Sequence, residues 1–124
     1  MFSFLTVDDE ATICDVISDF LIKRGYKVRK AQSGEEALEL IDDDKPNIVL
    51  LDLNMPGMGG EAALTEIKKR YQDIPVIIVT VIDNERKALD LLNKGASDYI
   101  PKPLDLRYLE RSISAWESIS INRF

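Results

Sequence analysis

Histidine is absent from this 124-residue chain, and several chemistries go with it. There can be no Ser-His-Asp triad and no His-ligated zinc, and the chain cannot carry a phosphoryl group on imidazole. Cysteine occurs once, as Cys14, so no internal disulfide forms and a reducing compartment is expected. Cys14 falls within a helical pattern, where a small, weakly polar packing residue is expected rather than a reactive thiol. No apolar run approaches the about 20 residues a membrane span needs. The start, Met1-Phe2-Ser3-Phe4-Leu5, lacks a positive flank and soon meets Asp8, so it does not read as a signal peptide. A basic excess is also missing. Sixteen Lys and Arg face 22 Asp and Glu, a net charge of −6. That balance argues against nucleic acid or an anionic membrane surface as the main partner. Together these absences predict a cytoplasmic protein that engages neither nucleic acid nor membrane directly.

What is present is an ordinary globular balance, 45% hydrophobic and 31% charged, of a length that fits one domain over 1–124. Apolar patterns alternate along it. Phe2 to Val7 predicts a first strand. Ile13, Val16, Ile17, Phe20 and Leu21 recur at helical spacing, and Lys23-Arg24-Gly25 closes that helix. Tyr26 to Ala31 predicts strand two. Ser33 and Glu36 have the spacing of a capping box opening helix two, which Lys45-Pro46 stops. Ile48 to Leu51 is apolar without alternation, as in a strand buried on both faces. Helix three presents Leu64, Ile67 and Tyr71, and Gly59-Gly60 is expected to loosen its start. Val76 to Thr80 predicts strand four. Asp83 or Asn84 should cap helix four, with Ala88, Leu89, Leu91 and Leu92, ending at Lys94-Gly95. Ser97 to Ile100 predicts strand five. Asp105 should cap a last helix carrying Leu106, Leu109, Ile113 and Trp116. There is no internal repeat, low-complexity tract or linker.

Five strands alternating with five helices across short loops predict an α/β fold, a parallel sheet covered on both sides. Right-handed crossovers make it doubly wound, so all strands point their C-terminal ends to one edge, where ligands bind in such folds. Asp8, Asp9, Asp52, Thr80 and Lys102 all fall at or just beyond those ends. Asp52 is the most telling, because a carboxylate that ends a buried strand before the Pro/Gly-rich stretch Leu53-Asn54-Met55-Pro56-Gly57 is poor packing material. Three carboxylates held together repel one another, and a divalent cation relieves that cost. An oxygen-only set favours a hard ion, and magnesium suits one or two carboxylates, waters and a phosphate oxygen. Helix capping would account for one aspartate of the Asp8-Asp9 pair but not for two beside a third.

The chain resembles the receiver domains of two-component response regulators. The resemblance rests on Val7-Asp8-Asp9-Glu10, Leu51-Asp52-Leu53-Asn54-Met55-Pro56-Gly57-Met58, Thr80, and Gly95-Ala96-Ser97-Asp98-Tyr99-Ile100-Pro101-Lys102-Pro103, and it covers essentially the whole chain. It implies a flavodoxin-like (βα)5 sheet of strand order 2-1-3-4-5, an order taken from the family and not read from this chain. It also implies that Asp52 accepts a phosphoryl group from a phosphohistidine on a sensor histidine kinase or histidine phosphotransfer protein. Asp9 and Asp52 would bind Mg2+ directly, Asp8 through water and Asn54 through its backbone carbonyl. Lys102 would place a positive charge opposite the metal, before a cis bond to Pro103. Thr80 would be the switch hydroxyl and Tyr99 the aromatic that turns with it. Loop 81–84, helix four and strand five would form the bistable element. Output would pass from the helix 4-strand 5-helix 5 surface to a downstream protein or effector domain, with a phosphorylation-dependent dimer as one arrangement. Such a protein is a phosphoacceptor assisting its own phosphotransfer and dephosphorylation rather than an enzyme.

Val81 departs from the family, which usually has alanine or glycine after the switch threonine. Its bulk would narrow access or resist the inward loop movement, and apolar Ile82, flanking the site with Asn54, would slow attack by water on the acyl phosphate. A degenerate receiver acting only through protein contacts is therefore an alternative. A haloacid-dehalogenase-like phosphatase is another, although it needs an aspartate where Asn54 stands. A flavodoxin-like cofactor carrier would need a phosphate loop where Asp8-Asp9-Glu10 lies, and the glycine-rich lysine motif of a P-loop nucleotidase is missing.

Overall fold

The computed structural model describes residues 2–81 and 85–121. Its elements run β1 (Ser3–Val7), α1 (Ala11–Lys23), β2 (Lys27–Ala31), α2 (Gly34–Asp43), β3 (Ile48–Asp52), α3 (Gly59–Arg70), β4 (Val76–Thr80), α4 (Glu85–Asn93), β5 (Asp98–Pro101) and α5 (Leu106–Ile121). All four strand pairings are parallel, and the order is β2-β1-β3-β4-β5. The expected five-stranded doubly wound sheet is therefore observed.

Side chains alternate across a strand, and here the alternation sorts the core into two layers. Phe4, Ile48, Leu50, Ile77, Val79 and Ile100 pack with Ile17 and Leu21 of α1 and with Leu109 and Ile113 of α5. Leu5, Val7, Val49, Leu51, Val76 and Ile78 pack with α2, α3 and Leu91 of α4. The three central strands are apolar on both faces because helices cover both faces.

Local signals place the helices. Ser33 Oγ accepts the Glu36 amide at 3.1 Å, but the Glu36 carboxylate reaches back to the amide of Gln32 rather than that of Ser33, at 2.7 Å. The box is thus closed one residue early. Asp105 opens α5, its Oδ1 accepting the Arg107 amide at 2.9 Å. The expected α4 cap, Asp83 or Asn84, lies outside the described residues, as does Ile82.

Several details differ from the sequence pattern. β2 starts at Lys27 because the Tyr26 amide donates back to the Leu21 carbonyl of α1 at 3.2 Å; the Tyr26 ring clusters with Phe2 and Phe4, with centroids 5.9 and 4.9 Å away. β5 begins at Asp98 and runs to Pro101. Val16 is 45% exposed and Leu89 is 61% exposed. Both lie outside the buried part of their helices' apolar stripes. No helix among the described residues is long and apolar enough to cross a membrane.

Candidate functional site

The strand period that builds the core also builds the site. Asp8 continues the row Phe4–Thr6, and Asp52 continues Ile48–Leu50. Both aspartates are almost fully buried, at 2% and 3% exposure, whereas Asp9 is exposed. β1 and β3 are neighbours with Val7 opposite Leu51, so their C-terminal carboxylates meet. Asp8, Asp9 and Asp52 each offer a carboxylate oxygen, all within 4.8 Å of one another. Lys102, two residues beyond Ile100, completes the cluster. Its Nζ lies 3.1 Å from Asp52 Oδ1 and 3.4 Å from Asp8 Oδ2. The Lys102–Pro103 peptide is cis, as the resemblance implied.

Electrostatics follow from that crowding. Burial raises the Asp8 pKa above the ordinary carboxylate value; the Glu10 amide opposes this, the charge of Asp52 adds to it, and Lys102 opposes it. That amide donates to Asp8 Oδ1 at 2.9 Å, while Glu10 itself, the N-cap of α1, makes no side-chain cap bond. Asp8 thus serves the N-terminal end of α1 through that amide, which leaves Asp9 and Asp52 unexplained by capping. Burial works against the Lys102 ammonium, but its hydrogen bond to Asp52 and the charges of Asp52 and Asp8 outweigh this and raise its pKa. One ammonium among three carboxylates leaves the pocket short of positive charge. The donor set is all oxygen and partly desolvated, and it fits a hard divalent cation.

Thr80 and Tyr99 belong to the other face. Thr80 continues Val76–Ile78 and is fully buried, and Tyr99 pairs with Ile78 across β4 and β5 and packs against the same core layer. The Thr80 hydroxyl donates a long hydrogen bond, 3.5 Å, to the carbonyl of Val81. Val81 is 61% exposed. Asn54 donates its amide to Asp52 Oδ1 at 3.4 Å. So the structure brings Asp8, Asp9, Asp52 and Lys102 into one cluster, with Asn54 at its edge. Thr80 and Tyr99 are set on the side that α4 covers.

A model of the response regulator receiver domain matches residues 4–114. The chain belongs to that family. Solved structures similar to this receiver domain include the receiver domain of NtrX from Brucella abortus, 33% identical, with a TM-score of 0.86 over 91% of this chain and 96% of that one. A two-component response regulator from Clostridium difficile is 25% identical, with a TM-score of 0.90 over 95% of this chain and 97% of that one. The chemotaxis protein CheY4 of Vibrio cholerae is 26% identical, with a TM-score of 0.87 over 93% of this chain and 98% of that one.

Three features of this receiver domain were not legible beforehand. Gly60 is glycine for contact, not looseness: a Cβ there would lie 2.4 Å from the Asp52 carbonyl oxygen and from Leu53 Cα. Its amide donates to the Leu53 carbonyl at 3.0 Å, which pins α3 onto the strand end that presents Asp52. A groove of about 360 Å³ beside Lys102 is lined by Thr12, Ile13, Val16, Pro103, Leu104 and Leu106; it is where exposed Val16 goes. Glu35, from α2, hydrogen-bonds the amide of Met58 at 3.0 Å. No local pattern signals that last contact, since the partners are 23 residues apart.

Proposed function

We propose that this receiver domain, taken as residues 1–124, is a signalling phosphoacceptor. An Asp52 carboxylate oxygen attacks the phosphorus of a phosphohistidine on a sensor kinase or phosphotransfer protein. The P–N bond breaks, its electron pair stays on the imidazole, and Asp52 becomes an acyl phosphate. Positioning and charge neutralisation carry such a transfer. Lys102 holds Asp52 in place and offers its ammonium to the incoming phosphoryl oxygens. Asp9, Asp52 and the Asn54 backbone carbonyl would hold Mg2+ directly and Asp8 through water, and when bound the ion neutralises phosphoryl charge. The observation that carries this reading is the ammonium lying 3.1 and 3.4 Å from two buried carboxylates with a third in reach.

The long hydrogen bond of Thr80 is weak by its length, so a phosphoryl oxygen is a better acceptor for that hydroxyl. Its shift would be felt by Tyr99 and α4 on the same face, altering the α4-β5-α5 surface that a downstream partner reads. A receiver that only binds partners would owe its inactivity to Val81. The exposure of that side chain places most of its bulk in solvent rather than around Thr80, which favours the working receiver.

Incubation with acetyl phosphate and MgCl2, followed by intact mass measurement, tests the proposal. One phosphoryl group should be gained, labile to hydroxylamine, and lost in Asp52→Asn or in excess chelator. A wild-type protein that gains nothing would leave only the binding-module reading.

A further inference from the structure

The segment after Asp52 must hold the Asn54 carbonyl still, yet its helix brings no cap of its own. Met58, the N-cap of α3, has helical backbone angles and makes no side-chain cap hydrogen bond. The first amides of a helix need acceptors from somewhere. Leu53 supplies one through its carbonyl, to Gly60. A second comes from a different element, the Glu35 carboxylate, which accepts the Met58 amide at 3.0 Å. Its two oxygens also lie over Gly57, 3.5 and 3.8 Å from where a Cβ would stand. A carboxylate there also complements the positive end of the α3 dipole.

The base from which Glu35 reaches is itself tied down by hydrogen bonds and close packing. Ser33 and Glu36 cap the first turn of α2 at 3.1 and 2.7 Å. The Met58 side chain lies against Gly34, where a Cβ would come 3.1 Å from its sulfur and 3.2 Å from Ala63 Cβ. So α2 grips Met58 twice, by its backbone amide and by its side chain. From Met58 the chain leads back four residues to Asn54, whose own amide is tied to Asp52 Oδ1.

We infer that Glu35 is a positioning residue for the cation site, fixing the loop from Asn54 to Met58 against α2 so that the Asn54 carbonyl is aimed before the ion arrives. This rests on the proposed metal role of Asn54. Residues that orient ligands from behind are worth a measurable share of metal affinity, and because this bond is exposed it is given the worth of an ordinary hydrogen bond, a loss of roughly fivefold.

Titration of the full chain with MgCl2, followed by the amide chemical shifts of residues 8, 9 and 54, tests it. Glu35→Ala should weaken Mg2+ binding roughly fivefold, and Glu35→Gln, whose amide oxygen can still accept the Met58 hydrogen, should recover most of it. Hydrogen exchange at the Met58 amide should quicken in Glu35→Ala and not in Glu35→Gln. If Glu35→Ala keeps wild-type Mg2+ affinity while only its thermal midpoint falls, Glu35 is a stabilising contact and the inference is overturned. If wild-type protein itself binds no Mg2+, the reading of the site fails and takes this inference with it.

Discussion

Lys102 occupies the charge position that a cation would share. Its ammonium touches the same two buried carboxylates that the proposed ion needs, so it both stabilises that carboxylate pair and competes with the ion for it. Lys102→Ala should therefore separate two effects. Mg2+ should bind more tightly, seen by the same chemical-shift titration, because a competing positive charge is gone. Phosphoryl uptake from acetyl phosphate should slow by about 100-fold, the usual cost of removing a fixed positive or hydrogen-bonding group from a transferring centre. Parallel losses in both measurements would instead mean that the lysine mainly holds the pocket together. Asp52 and Lys102 were legible as residues because each breaks a local rule: a carboxylate at the end of an apolar strand, a lysine held between two prolines. Glu35 breaks none, being an acid in the first turn of a helix where acids are common.

At the level of elements, the junction between β3 and α3 is the most constrained. Gly60→Ala would drive a methyl group to 2.4 Å from the Asp52 carbonyl and 2.7 Å from that of Leu53, atoms of backbone that cannot swing aside. The helix must move away from the strand, at a cost of about 1–3 kcal/mol. Urea denaturation should show that loss, and phosphoryl uptake should fall with it because Asp52 is presented by the displaced backbone. A wild-type urea midpoint would show that α3 is freer than its contacts indicate. The sequence pattern located this element and its apolar stripe, but took its paired glycines as a sign of slack. Close approach of two backbones leaves no mark in one-dimensional spacing, so only coordinates distinguish it from flexibility.

For the molecule as a whole, two groups outside the carboxylate cluster, buried Cys14 and half-buried Tyr26, set an alkaline limit. Burial pushes the Cys14 thiol up to about 11 from 9.0, aided by the charge of Asp8. Burial and then the bond to the Glu117 carboxylate push Tyr26 up to about 12 from 10.0. In each case the unfolded chain loses its proton at lower pH than the folded one, so folding stability falls as pH rises through that interval. The fall should begin near pH 9.0 for Cys14 and level off near 12 for Tyr26. Urea midpoints measured across that range should decline, and Tyr26→Phe should flatten the part above pH 10.0. An unchanged slope in that variant would show that Tyr26 does not contribute. The sequence by itself determined the alternation of strands and helices, the faces they bury and which charged residues stand at strand ends, because period, caps and breakers act over a few neighbouring residues. Only the tertiary structure decided that Asp8, Asp52 and Lys102 share one pocket while Thr80 and Tyr99 face α4. That division comes from strand order and register, which bring residues together across 50 and 94 positions of chain and are set by the packing of whole layers.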